Sequence, residues 1–173
     1  MRYRNYLFVS LYLIAIVLAN LTVAWFGPRM VIINAFLLIG LDLTARDHLH
    51  EAWHGRGLVW KMTLLIASGS LLTWVLNRDA GQIALASFVA FSLAAIADTV
   101  TYHLLRERIY LIKINGSNVV AALVDSIAFP TLAFGALMPW IILGQFAAKV
   151  CGGFVWSLVL KRYRFRIGGE GVA

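Results

Sequence analysis

The stretch that decides the fold is Tyr6–Phe26, "YLFVSLYLIAIVLANLTVAWF", 21 residues without a charge. A helix rises roughly 1.5 Å per residue, so this run covers the roughly 30 Å hydrocarbon core of a bilayer. Arg2 and Arg4 precede it, in the charge-then-apolar order of a secretory signal. Its length exceeds a signal's apolar core, and it reads as a first transmembrane helix. Gly27-Pro28 then breaks the helix.

The rest of the chain follows the same pattern. Hydrophobic residues make up 61% of the 173 positions, charged residues 13%, and the mean hydropathy is +0.82. Soluble domains carry about 25% charged residues. So much apolar surface cannot be hidden in a soluble core of this size, and a bilayer is its natural solvent. Residues 6–26, 30–50, 58–76, 82–105, 117–136 and 139–160 read as six spans, separated by "GP", "GRG", "NRDAG", the polar segment "RERIYLIKING" and the turn "LMP". The expected fold class is an all-α integral membrane protein, one six-helix bundle over residues 1–173.

Charge placement gives an orientation. With six spans, one side of the membrane carries Arg2, Arg4, Arg46, Arg56, Lys61, Arg106, Arg108, Lys113, Lys161, Arg162, Arg164 and Arg166. The other carries only Arg29 and Arg78, so both termini are expected in the cytoplasm. The net charge of +7 sits at the ends of apolar runs with no aromatic-interleaved basic face, which argues against nucleic acid. The lone Cys151 forms no intrachain disulfide and reads as a small packing residue. The spacings Ala15-x-x-x-Ala19 and Ala148-x-x-x-Gly152 mark close helix packing, the first alternatively a docking surface for an energising partner.

Against this background the intramembrane charges stand out. Asp42 falls on the second span with Arg46 one turn below it, Asp98 on the fourth, Asp125 on the fifth and Lys149 near the middle of the sixth. Counted by helical rise, they occupy one layer in the inner half of the membrane. Each costs about 2.5–3.5 kcal/mol to insert at a helix centre, so five facing lipid would cost on the order of 12–17 kcal/mol. They are therefore expected to face inward, either as packing salt bridges or as the lining of a polar pocket. Asn118, Asp125 and Phe129 share one side of the fifth span, Asp98 and Tyr102 are a turn apart on the fourth, and Asn20 and Asn34 add amides. Such groups suit a flat, hydrogen-bonding heterocycle.

The second span ends in "HEAWH", a match to the zinc-protease pattern. On a helix His50 and His54 share a face, with Glu51 as a possible general base. Gly55 follows directly, however, and no third ligand lies in a recognisable motif, so these residues read as a solvated helix end and no metal is expected.

Together, "DLTAR" at Asp42–Arg46, "ASFVAF" followed by Asp98, "NGSNVVAALVDSIAF" with Asp125 and Phe129, and Lys149 in "FAAKV" resemble the queuosine precursor transporter family, also called the VUT or YhhQ family. The resemblance covers about Asn20–Val150. It departs at Ala122, where relatives carry an amide, and in the charged continuation "DHLHEAWHG". It implies a six-helix inner-membrane importer, not an enzyme and without cofactor, for 7-cyano-7-deazaguanine or 7-aminomethyl-7-deazaguanine. The expected substrate-binding residues are Asp42, Arg46, Asp98, Asp125, Lys149, Asn20, Asn118 and Phe129. The expected partners are that 7-deazapurine and the lipid bilayer. A substrate-binding subunit of an energy-coupling-factor-type transporter and a membrane zinc metalloprotease are the alternatives, and a homo-oligomer or energising partner is left open.

Overall fold

The computed structural model describes residues 2–53 and 57–167, with the side chains of most of them. The described residues contain helices and no strands. α1 spans Arg2–Phe26, and Gly27 closes it in the left-handed conformation that glycine adopts freely. A second rod follows in three parts: α2 (Arg29–Asn34), a π-helical turn (Ala35–Ile39) and α3 (Gly40–Trp53). α4 (Leu58–Leu76) leads through a short 3-10 turn (Arg78–Ala80) to α5 (Gly81–Leu104). α6 (Tyr110–Phe134) and α7 (Pro139–Ile167) complete the chain.

Long-range contacts fix the direction of each rod. Asn34 donates to the Ala19 carbonyl and His48 stacks on Phe8, so the second rod runs antiparallel to α1. Asn20 bonds Thr73, and Gly69 faces Ile16, so α4 runs parallel to α1. The Gln82 amide reaches the Leu132 carbonyl, closing α5 and α6 into an antiparallel hairpin. α7 runs parallel to the second rod, with Gly144 against Ile32 and Gly152 against Phe36 and Gly40. The rods therefore alternate, and both ends of the described chain lie at one end of the bundle, called here the terminal end.

The tightest crossing is between α7 and the π turn. A Cβ built on Gly152 would stand 2.4 Å from the Phe36 carbonyl oxygen, and one on Gly40 would stand 2.7 Å from the Gly152 carbonyl carbon. No side chain fits there, so the Ala148-x-x-x-Gly152 spacing does mark a close helix contact. The Trp156 indole donates to the Leu37 carbonyl at 2.9 Å, a group within the irregular turn. Ala15 and Ala19 are also buried, so their spacing packs inside the bundle and offers no outward docking face. Cys151 is exposed on the bundle's outer surface and does not pack inside it.

Four helices are long and apolar enough to cross a membrane among the described residues: Asn5–Phe26, Leu58–Leu76, Arg78–Leu104 and Gly116–Phe134. The other two rods, the second and α7, are interrupted by irregular backbone or polar side chains. The second is split by the π turn and carries Asp42, Arg46, Asp47 and Glu51; α7 carries Gln145 and Lys149 inside its apolar run. Large apolar side chains cover the outside of the bundle, with Val59 80% and Trp140 84% exposed, as expected of surfaces that meet acyl chains.

Two expectations are corrected. "YLIKING" is helical and opens α6, so helix starts seven residues before the expected boundary at 117. A helix that leaves the bilayer keeps its backbone bonds, so loss of hydropathy does not end it. Arg46, counted among the loop cations, is 8% exposed inside the bundle, which lowers twelve against two to eleven against two.

Candidate functional site

Buried apolar side chains form two clusters stacked along the bundle. One, toward the terminal end, gathers Phe8, Tyr12, Ile16, Ala19, Ile39, Leu49, Leu65 and Phe91. The other, toward the opposite end, gathers Val23, Val31, Ile83, Ala90 and Phe129. A narrow cleft lies at their seam, with Ala19, Ile39 and Phe91 from the first and Val23, Val31 and Phe129 from the second in its wall. Its polar lining is Asn20 from α1, Asn34 from α2, Ser87 from α5, Asp125 from α6 and Gln145 from α7. Counted out to its mouth it contains about 330 Å³ of empty space, wide enough for water but too narrow as it stands for a bicyclic base.

Distance from helix ends sets its depth. Asn20 lies six residues from Phe26, Ser87 six from Gly81 and Gln145 six from Pro139, each about 9 Å from the end opposite the termini. Asp125, nine residues from Phe134, and Lys149, ten from Pro139, lie about 13–15 Å deep. Asp42, thirteen residues from Arg29, lies about 20 Å deep; Asp98 and Asn118, seventeen and sixteen residues from Gly81 and Phe134, lie about 24–25 Å deep. The expected single layer is thus spread over about two helical turns.

At the deep side of the cleft the Lys149 ammonium donates to an Asp125 carboxylate oxygen in a buried ion pair. Asp42 and Arg46 are buried beyond it, 1% and 8% exposed, and their charges act on both Lys149 and Tyr12. The four ionisable groups comprise two carboxylates and two cations, so the set balances its own charge. An ion removed from water needs such a partner, because the protein interior offers little solvation. Tyr12, also fully buried, was not anticipated.

The amides in the wall differ among themselves. The Asn20 amide donates to Thr73 Oγ1 at 3.3 Å, and Thr73 in turn donates to the Gly69 carbonyl at 2.9 Å. The Asn34 amide donates to the Ala19 carbonyl at 3.0 Å and to Thr22 Oγ1 at 2.7 Å. The Gln145 Oε1 is buried without a hydrogen-bond partner among the described residues. Gln145 lies one turn before Lys149 in "GQFAAK", a polar residue visible in an apolar run and passed over because it carries no charge.

Of the eight expected site residues, Asn20, Asp125 and Phe129 line the cleft. Lys149 joins it through Asp125, with Asp42 and Arg46 on its deep side. Asp98 and Asn118 are half-buried and do not line it. Asn34, Ser87, Phe91 and Gln145, with the aliphatic Ala19, Val23, Val31 and Ile39, complete the wall. The side chains of His50 and Glu51, and His54 altogether, lie outside the described residues.

A family model described as "Putative vitamin uptake transporter" matches residues 6–161. The chain belongs to this family. It is the family whose motifs the sequence resembled, and the match runs from α1 into α7. Membership, together with the apolar helices, makes the chain a membrane protein of the uptake-transporter type. Neither a curated protein nor a solved structure matches the chain.

Proposed function

We propose that the chain is an inner-membrane importer of a queuosine precursor, 7-cyano-7-deazaguanine or 7-aminomethyl-7-deazaguanine, bound in the cleft at the seam of the two apolar clusters. In this reading all six rods span the bilayer as a single domain with both termini cytoplasmic, in keeping with their alternating direction and the eleven-to-two distribution of loop cations. The cleft then lies in the outer half of the membrane, and Lys149, Asp42 and Arg46 of the charged set lie on its cytoplasmic side. The terminal helix extension in α7 carries basic residues into the cytoplasm.

The observation that carries the reading is the lining of the cleft. One carboxylate, three carboxamides and two phenyl rings converge where five rods meet. Phe91 and Phe129 offer faces to a planar ring, and the polar groups offer hydrogen bonds to its edges. A deazaguanine presents two adjacent N–H donors and a carbonyl, the complement of a carboxylate or carboxamide beside a cation. A site built to pair these groups rejects an analogue that leaves them unpaired. The cleft must widen to admit the base, and the π turn beside Gly152 is an irregular point at which α7 and the second rod can shift.

Purified chain in liposomes tests the reading. Saturable uptake of 7-cyano-7-deazaguanine, blocked by the 7-aminomethyl compound and not by adenine, is the expected result. Absence of uptake with correctly inserted protein overturns the carrier acting alone. Saturable binding without uptake would then favour a substrate-binding subunit that needs an energising partner.

A further inference from the structure

We propose that Gln145 is the side chain that reads the lactam edge of the bound heterocycle, its carboxamide pairing with a ring N–H and the adjacent carbonyl. The proposal rests on the cleft being the substrate site and deepens that reading. Three carboxamides line the cleft, and two of them are already committed: Asn20 to Thr73, and Asn34 to Ala19 and Thr22. Asp125 is committed as well, to Lys149. Gln145 alone among these has a buried oxygen without a partner among the described residues, although the residue is only 3% exposed.

An unpaired acceptor shut away from water is unfavourable, and such groups in folded proteins call for an explanation. A ligand that supplies the missing donor provides one. A primary carboxamide carries an acceptor and a donor side by side, which is the complement of an –NH–CO– ring edge. Gln145 also lies one helical turn from Lys149, so a ring paired with it stands beside the Asp125–Lys149 pair. Phe91 and Phe129, from α5 and α6, supply the aromatic part of the same cleft's lining.

The test compares wild type, Gln145→Met and Gln145→Glu as full chains in nanodiscs, by calorimetric binding and by melting temperature. Gln145→Met is expected to weaken 7-cyano-7-deazaguanine about tenfold or more, a loss typical of a buried hydrogen bond. The same penalty is expected for 7-deazahypoxanthine, which keeps the lactam edge but lacks the 2-amino group. Gln145→Glu, which keeps an acceptor at the same reach, is expected to retain more affinity than Gln145→Met. Without ligand, Gln145→Met should melt no lower than wild type, since it removes an unpaired group. A fall in that melting temperature, or unchanged affinity in Gln145→Met, overturns the role of Gln145 alone. A wild-type chain that binds neither probe overturns the substrate reading, and this assignment with it.

Discussion

The cleft wall and the charged set on its deep side are both buried and polar, yet they are built on opposite principles. In the charged set two carboxylates, Asp125 and Asp42, are buried with two cations, Lys149 and Arg46, and Lys149 pairs with Asp125. In the wall the other polar groups are three neutral amides and one hydroxyl, interleaved with Val23, Val31, Phe91 and Phe129. One of those amides, Gln145, has an acceptor left over. The difference teaches that intramembrane charge marks where a bundle must compensate itself. In the proposed reading, the leftover acceptor of Gln145, the one such group among the described residues of the cleft wall, marks where a guest is received.

The sharpest break in this comparison is at Asp125, which belongs to both regions. Asp125→Ala is expected to abolish uptake while the protein still inserts into the membrane. It also strands the Lys149 ammonium, and breaking a buried pair from one side costs about 3–5 kcal/mol. The double variant Asp125→Ala/Lys149→Ala removes both charges and should recover much of the melting temperature without recovering uptake. If uptake returns with stability, Asp125 serves packing and not the ligand.

The next largest effect falls on the crossing that holds the two regions in register. Gly152→Val places side-chain atoms where even a Cβ would lie 2.4 Å from the Phe36 carbonyl oxygen, and backbone cannot yield as a side chain does. The expected loss is about 3 kcal/mol or more, the upper range for overpacking, read as a lowered melting temperature. Gly27, where a Cβ would meet nothing within 4 Å, separates steric from conformational effects: Gly27→Asn, tolerated at positive φ, should change stability far less. Equal losses at the two sites would place the strain in the backbone conformation and not in the crossing.

A smaller effect is expected behind the wall. Thr73→Val removes the acceptor that holds the Asn20 amide, a loss of about 1 kcal/mol in stability, with binding weakened only a few-fold. Calorimetry on the variant measures both. The smallest effect is expected at Asp98, about 25 Å deep and outside the lining. Asp98→Asn should leave ligand affinity within about threefold, against a loss of roughly a hundredfold or more for Asp125→Asn, the range for hydrogen bonds to a charged group combined. Comparable losses at the two aspartates would restore the single charged layer.

Much of this architecture was legible in the sequence. Uncharged runs and Gly-Pro or Gly-rich breaks located the helices, and α4 begins and ends at Leu58 and Leu76 as expected. The inward orientation of Asp42, Arg46, Asp125 and Lys149 followed from the cost of placing charge in lipid. The site itself was less legible, because depth counted along separate helices ignores which faces converge. Asp98 has the right charge and lies on a rod that lines the cleft, but two turns too deep. The π turn was hidden because "AFLLI" has nothing to distinguish it from ordinary apolar helix. Gln145 was visible in "GQFAAK", but charge drew attention to Lys149 four residues on.

The most direct test is a structure of the full chain with 7-cyano-7-deazaguanine bound. The expected result is the base between Phe91 and Phe129, its polar edge on Asp125 and Gln145, with the cleft widened around it. A base seated instead against Asp98 and Asn118, with the seam between the two apolar clusters still closed, would contradict it.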